Sequence, residues 1–431
     1  METQMSNTSR SHGLWEASAP PPPKTQTLEH DIAANAIIVG GGFTGCSAAL
    51  HLAVAGKKAV VLEGQTIGFG GSGRNVGLVN AGLWVMPDDI ASKLPEPFGE
   101  RLLTQLSEAP RLVIDLVDRF GIDCQLQRSG TLHCAVGTVG YQEIAERARQ
   151  WLRRGADVEL LDAESAASLI GSKAYSGALL DRRAGTIQPL AYVHGLATAA
   201  IEAGASVYTH SPVLNCSSVS GLWKVTTPSG SVTAPAVVFA TDAYSTHESW
   251  QLRAEQVMLP YFNLATKPLP LEMRKSILPK RQGVWDTKKI LSSFRLDRDG
   301  RLIFGSVGAL RGPGTAIHKS WARRELARIF PQIHKIQFEY EWYGMIGMTE
   351  DAVPRFHQHG RNCWSVSGYN GRGIAPGTTF GRDLAGLVLG SLAAEDLALP
   401  LTQVRPAPFR QARAAFFEFG AEVAHLTGSR L

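Results

Sequence analysis

The 431-residue chain is poor in the features that mark membrane proteins, disulfide scaffolds and nucleic-acid binders. No stretch approaches the roughly 20 apolar residues of a membrane span, and the opening METQMSNTSRSHGLW lacks the apolar core of a secretion signal. Its five cysteines, Cys46, Cys124, Cys134, Cys216 and Cys363, form an odd set with no CxxC pair and no zinc-ligand spacing. Free thiols in a reducing, cytoplasmic compartment are the expectation. Charged residues make up only 19%, and 43 basic against 38 acidic side chains leave a net charge of +5. The basic doublets Arg153-Arg154, Arg182-Arg183, Lys288-Lys289 and Arg323-Arg324 are scattered, which argues against a nucleic-acid partner. What is abundant is apolar residue, 44%, enough for a large core; at this length two domains are expected.

Residues 1–30 read as a flexible leader ending in Ala19-Pro20-Pro21-Pro22-Pro23, a run that cannot join a helix or sheet interior. Trp15 is at odds with a disordered tail: it either pins the leader to the body or stands exposed. From Ala36 the character changes. AIIV is a short buried strand, the segment through SAALHLAVAG is a helix closed by Gly56, and KKAVVLE is a second strand. Ala191 to Gly204 has helical spacing after Pro189, and SVYTHSPV, LWKVTTP and APAVVFATDA follow as strands. Strands alternating with helices imply a parallel sheet. Between about 256 and 348 the strands ILSSFRLD and RLIFGSV flank the turn Asp299-Gly300, which predicts a largely antiparallel sheet in a second domain.

Gly40-Gly41-Gly42-Phe43-Thr44-Gly45 matches GxGxxG directly after a strand and at the start of a helix. Gly40 allows the tight turn, Gly42 lets the backbone approach a pyrophosphate, and Gly45 lets helix and strand pack closely. Glu63 ends the next strand, where a carboxylate can accept from ribose hydroxyls and would repel the 2′-phosphate of NADP. A second glycine cluster, Gly68 to Gly77, contains Gly70, Gly71, Ser72, Gly73, Arg74 and Asn75. A third, Gly368 to Gly377, contains Gly371, Arg372, Gly373 and Ile374 ahead of a helix. FAD, longer than a nicotinamide dinucleotide, would use that additional backbone approach, the third cluster presenting N–H groups to the flavin ring.

These segments, with Ala236 to Ser245, Tyr343 to Phe356 and GYNGRGIAPG, resemble the D-amino acid oxidase and glycine oxidase superfamily of FAD-dependent amine oxidoreductases. CQLQRSGTLH and DRRAGTIQPLAYV look most like bacterial L-pipecolate oxidases, then gamma-glutamylputrescine oxidases. The resemblance covers residue 36 to the C-terminus. It implies a Rossmann-like FAD-binding domain (31–110, 181–255 and 350–431) interleaved with a largely antiparallel-sheet substrate domain (111–180 and 256–349). It also implies FAD contacts at Val213, Ala240 and Thr241. Two departures stand out. Relatives that hold flavin covalently use a cysteine where this chain has Gly344, so noncovalent FAD is expected. Relatives also place an oxygen-activating lysine beside the flavin, but Arg301 to Phe304 contains none; only Lys267 or Lys288 could substitute, and the acceptor is O2 or another oxidant.

The reaction so implied takes a hydride equivalent from a carbon next to nitrogen, turning a cyclic secondary amino acid such as L-pipecolate into its imine; other amines, including gamma-glutamylputrescine, sarcosine-like or D-amino acid substrates, are the alternative. A substrate carboxylate calls for a cation, preferably Arg. Arg74 and Arg372, inside glycine loops, serve either the substrate or the FAD phosphate and flavin carbonyl. Lys288 is a third candidate or an exposed charge. Tyr261, Trp342, Tyr343 and Tyr369 could form an aromatic wall, or belong to the core. His357 and His359 resemble a metal pair but lack further ligands; a solvated loop and no metal are expected.

Overall fold

The computed structural model describes residues 11–245, 251–333 and 335–428. Its two main sheets follow from two different hydrophobic patterns. The runs Ala36–Val39 and Ala59–Leu62 are apolar at every position and are buried on both faces, as a parallel sheet covered by helices requires. They lie in a seven-stranded sheet of order Leu401–Thr402, Arg355–Gly360, Cys363–Ser367, Val237–Phe239, Ala36–Val39, Ala59–Leu62 and Ser206–Tyr208. Every pairing is parallel except that between Arg355–Gly360 and Cys363–Ser367. The helix Phe43–Val54 covers this sheet, flanked by the helices Pro189–Glu202 and Ile374–Leu389.

The eight-stranded sheet runs Phe338–Met348, Val257–Pro268, Arg301–Val307, Ser292–Leu296, Gly283–Asp286, Thr131–Cys134, Ala178–Asp181 and Val158–Leu161. It is antiparallel apart from Gly283–Asp286 against Thr131–Cys134. The predicted hairpin at Asp299-Gly300 is there: Ser292–Leu296 pairs with Arg301–Val307, and Gly300 takes the left-handed φ of 85° that the turn needs. The mixed α/β fold is therefore the expected one. LWKVTTP differs: Leu222–Thr226 sits with Asn215–Val219, Ser231–Ala234 and Ile32–Ala33 in a separate, mostly antiparallel four-stranded sheet.

The helix Phe98–Phe120 runs unbroken across the limit drawn at 110/111. The last helix, Arg410–Thr427, packs on Val257–Pro268 and on the helix Pro313–Ile329, where His425 stacks on Trp321 at 3.8 Å. We propose that this helix belongs with the substrate unit.

The leader also differs from expectation. Its residues 1–10 lie outside the described residues, but from Ser11 onward it is docked. Leu14–Ser18 is a short helix; Trp15 is fully buried and meets Trp342 edge to face at 5.4 Å. Trp15 Nε1 donates to Asn75 O at 2.8 Å, and Gln188 Nε2 donates to Trp15 O at 2.8 Å. Farther along, Gln26 bridges to Tyr208 and Leu28 is fully buried. The proline run spans the gap between these two anchors rather than marking a loose tail. Trp15→Ala is expected to cost about 3–5 kcal/mol, read as a lower thermal midpoint and faster protease cleavage before residue 36.

Candidate active site

One cavity of about 950 Å³ lies between the two sheets, within the size range of small-molecule and cofactor sites. Three chain reversals build its cofactor side. The strand Ala36–Val39 ends at Gly40, whose φ of 108° and proximity to the Ala240 carbonyl (2.9 Å from where a Cβ would stand) leave room for glycine alone. The helix then starts at Phe43 with Gly42 as a cap lacking any side chain, and the Phe43 N–H donates to Ser72 Oγ at 3.0 Å. A second uncapped helix start, Gly373 to Ile374, faces the same cavity. Two positive dipole ends and their N–H groups thus converge where an anion would lie.

Glu63 closes the far end. Its Oε2 accepts from Gly41 N at 2.7 Å and its Oε1 from Gln65 N at 2.8 Å. Burial pushes its pKa up, against the pull of the backbone N–H groups of Gly41, Gln65 and Gly64. Asp242 is likewise raised by burial while accepting from Gly368 N and Gln256 Nε2. From Val213 and Glu63, past Gly40 to Thr44 and Ser72, to Gly344 to Gly347 and Gly371 to Ile374, the lining forms one continuous trough. The residues fit an extended dinucleotide: glycine cradles in which an added Cβ would crowd the neighbouring wall, and a buried Thr241 Oγ1 with no partner among the described residues. None of the five cysteines lines it.

The eight-stranded sheet supplies the other wall. Arg372 is buried, and its guanidinium carbon lies 4.4 Å from the Trp84 ring and 4.7 Å from the Trp285 ring. Nη1 donates to Ala81 O at 3.2 Å, while Nε and Nη2 have no partner among the described residues. Burial, then the nearby Arg147, lowers its pKa to about 9, so it remains a cation at neutral pH. Trp84 donates to Asn370 O at 2.6 Å, and Trp285 stacks on His133 at 3.4 Å. Burial, then Arg147 and Arg372, holds His133 well below the usual imidazole range, hence neutral. Arg74 lies 4.5 Å over the Phe69 ring. Tyr261 shares a hydrogen bond with Ser293 Oγ at 2.7 Å.

The predicted site residues divide as follows. Gly40, Gly42, Phe43, Thr44, Glu63, Gly70, Gly71, Ser72, Arg74, Asn75, Val213, Ala240, Thr241, Gly371, Arg372, Gly373, Ile374, Lys288, Tyr261 and Tyr369 all line the cavity. Tyr369 lines it on the cofactor side, its hydroxyl 2.6 Å from Thr44 Oγ1. Gly45 and Gly73 do not line it; they act one layer back. A Cβ at Gly45 would collide with the Gly40 carbonyl oxygen, and one at Gly73 with the Gly68 carbonyl oxygen.

Trp342 and Tyr343 leave the aromatic wall. On the strand Phe338–Met348 only Gly344 to Met348 reaches the cavity. The two bulky residues before it are in the hydrophobic cores, and Trp342 Nε1 donates to Arg74 O at 3.0 Å. Lys267 is exposed, away from the cavity. His357 and His359 are not in a solvated loop but in the strand Arg355–Gly360. His357 is buried against Glu255 and Thr402, and His359 bonds Ser365.

Sequence reasoning passed over His133, Trp285, Trp84 and Arg147. The available signal was a histidine between the apolar Leu132 and Cys134 of the TLHC strand, since a buried polar group needs a reason.

Comparison with known proteins agrees with this architecture. Residues 35–387 match the family described as DAO, FAD dependent oxidoreductase. Gamma-glutamylputrescine oxidoreductase of Escherichia coli is 32% identical over 89% of this chain and 90% of its own. A probable oxidoreductase, OrdL, of Haemophilus influenzae is 30% identical over 86% and 85%. The solved glycine oxidase of Geobacillus kaustophilus superposes with a TM-score of 0.70 at 22% identity, covering 86% of this chain and 99% of that one.

Proposed function

The chain belongs to the FAD dependent oxidoreductase (DAO) family and is an FAD-dependent amine oxidoreductase; from that premise we propose that its substrate is an amine carrying a carboxylate, in the first instance a cyclic secondary amino acid such as L-pipecolate. The observation that supports this reading is the buried Arg372 guanidinium, packed against the perpendicular rings of Trp84 and Trp285 in the cavity wall, with two N–H donors, Nε and Nη2, that have no partner among the described residues. A planar fork in a dry site is suited to bidentate carboxylate binding, and a buried cation left unpaired is costly.

Bound FAD supplies the acceptor for the hydride equivalent leaving the carbon beside nitrogen. The glycine cradles and Glu63 would hold that group, while Arg372 fixes the substrate carboxylate. Trp84 and Trp285 exclude water and hold the guanidinium in place. Arg74, Arg147, Arg253, Arg372, Lys288 and Lys289 outnumber Glu63, Glu143, Asp242 and Asp286 in the cavity lining, and this cationic excess lowers the pKa of a bound amine and favours its neutral form. Neutral His133 adds no further charge.

A second reading, oxidation of gamma-glutamylputrescine, has support from the Escherichia coli relative and from Glu143, which lines the cavity with Arg147 at 3.7 Å. That pair offers opposite charges to a zwitterionic end. The test is anaerobic: flavin absorbance near 450 nm is followed with L-pipecolate, D-pipecolate, proline, sarcosine and gamma-glutamylputrescine, and with the carboxylate-free amines piperidine and putrescine. Bleaching by L-pipecolate is expected. Bleaching by gamma-glutamylputrescine alone moves the substrate to the second reading, and bleaching only by amines without a carboxylate overturns both. Readmitting air then shows whether O2 is the acceptor.

A further inference from the structure

The C-terminal helix Arg410–Thr427 is apolar on two opposite faces. Its inner face, Ala421, Ala424 and His425, is buried on the substrate sheet. Its position is fixed by Arg311 to Glu418 and by Arg324 Nη2 donating to His425 O at 2.9 Å. On the outer face stand Ala412, Phe416, Phe419, Val423 and Leu426, with Phe409 just ahead of the helix, all exposed, the three phenylalanines Phe409, Phe416 and Phe419 by 84%, 70% and 65%. From Ala412 to Leu426 the spacing is 4, 3, 4, 3, which keeps these five side chains on one side of the helix.

We propose that this seam is a homodimer interface, in which the exposed apolar face packs on the same face of a second copy. Three observations support that occupant. The first is charge: the helix carries two arginines, Arg410 and Arg413, and two glutamates, Glu418 and Glu422, a balance that leaves a second copy free of net repulsion. The balanced charge also lacks the basic excess of a helix that lies on a membrane. The second is area: the exposed parts of these side chains leave roughly 500–600 Å² of apolar surface per copy, so a symmetric pair removes about 1,000–1,200 Å², the lower edge of a stable interface. The third is that residues 1–10, METQMSNTSR, are polar and have no matching stripe with which to cover the helix from within the chain. A two-fold axis makes one seam its own complement.

The test is sedimentation velocity of the full-length, FAD-loaded protein over a range of concentrations, beside a Phe416→Glu/Phe419→Glu variant. The wild type is expected to be a dimer and the variant a monomer, with the dimer dissociation constant raised by on the order of 100-fold. The flavin spectrum and turnover should be unchanged. A monomeric wild type, or a variant that keeps the wild-type oligomer, overturns the proposal; so does wild-type protein that is monomeric alone and pellets with phosphatidylserine vesicles. If the double variant fails to retain flavin, Phe419→Ser alone, which adds no charge, is measured in the same way.

Discussion

Replacing Arg372 with Met is expected to lower kcat/KM for a carboxylate-bearing amine by about 10²- to 10³-fold, because truncating one partner of a buried charge pair costs about 2–5 kcal/mol. Methionine keeps much of the apolar stem beside Trp84 and Trp285, so the wall should stay packed. Flavin content should be unchanged, and a carboxylate-free analogue such as piperidine should lose little. Arg372→Lys should recover only part of the loss, since an ammonium cannot supply the planar two-donor fork. Steady-state kinetics on the acid and its decarboxylated analogue check this. Loss of the yellow colour in the Met variant would instead assign the guanidinium to the cofactor.

Gly45→Val is expected to yield protein without flavin. The colliding atom is the Gly40 carbonyl oxygen, held by the turn that shapes the phosphate site, so neither partner can yield without opening that turn. Overpacking of this kind costs about 1–3 kcal/mol or more, and the stabilisation contributed by bound cofactor is lost with it. Gly56→Ala is the control. Nothing lies within 4 Å of its added Cβ, and only its φ of 74° is strained, a cost of about 1–2 kcal/mol. The ratio of flavin to protein absorbance should fall to background in the first variant and hold in the second.

Much of the cofactor half was legible because its physics is local. AIIV, GGGFTG and Glu63 fix a strand, a turn, a helix start and a carboxylate in the cavity wall within 28 residues, from Ala36 to Glu63. The hairpin at Asp299-Gly300 was readable for the same reason. The substrate wall was not. His133 and Trp285 are paired across neighbouring strands of the eight-stranded sheet, Trp84 and Arg372 reach them from two loops outside it, and no spacing in the chain records that meeting. Trp342 and Tyr343 were misplaced because adjacency to Gly344 in sequence does not say which residues of a strand reach a cavity. The last helix carried its pattern openly, but two apolar faces blur into general hydrophobicity until one of them is seen buried.

The docked leader bears on how the enzyme keeps its colour. His12 Nε2 lies 3.2 Å from Gly68 O and Trp15 Nε1 holds Asn75 O, so both ends of the second glycine loop hang from the amino-terminal segment. Trimming the chain to begin at the first long strand would leave the GGGFTG turn intact yet remove the props beneath that loop. Bleaching of purified preparations in storage would then report a nicked amino terminus before any global melting, making absorbance a gauge of proteolytic history.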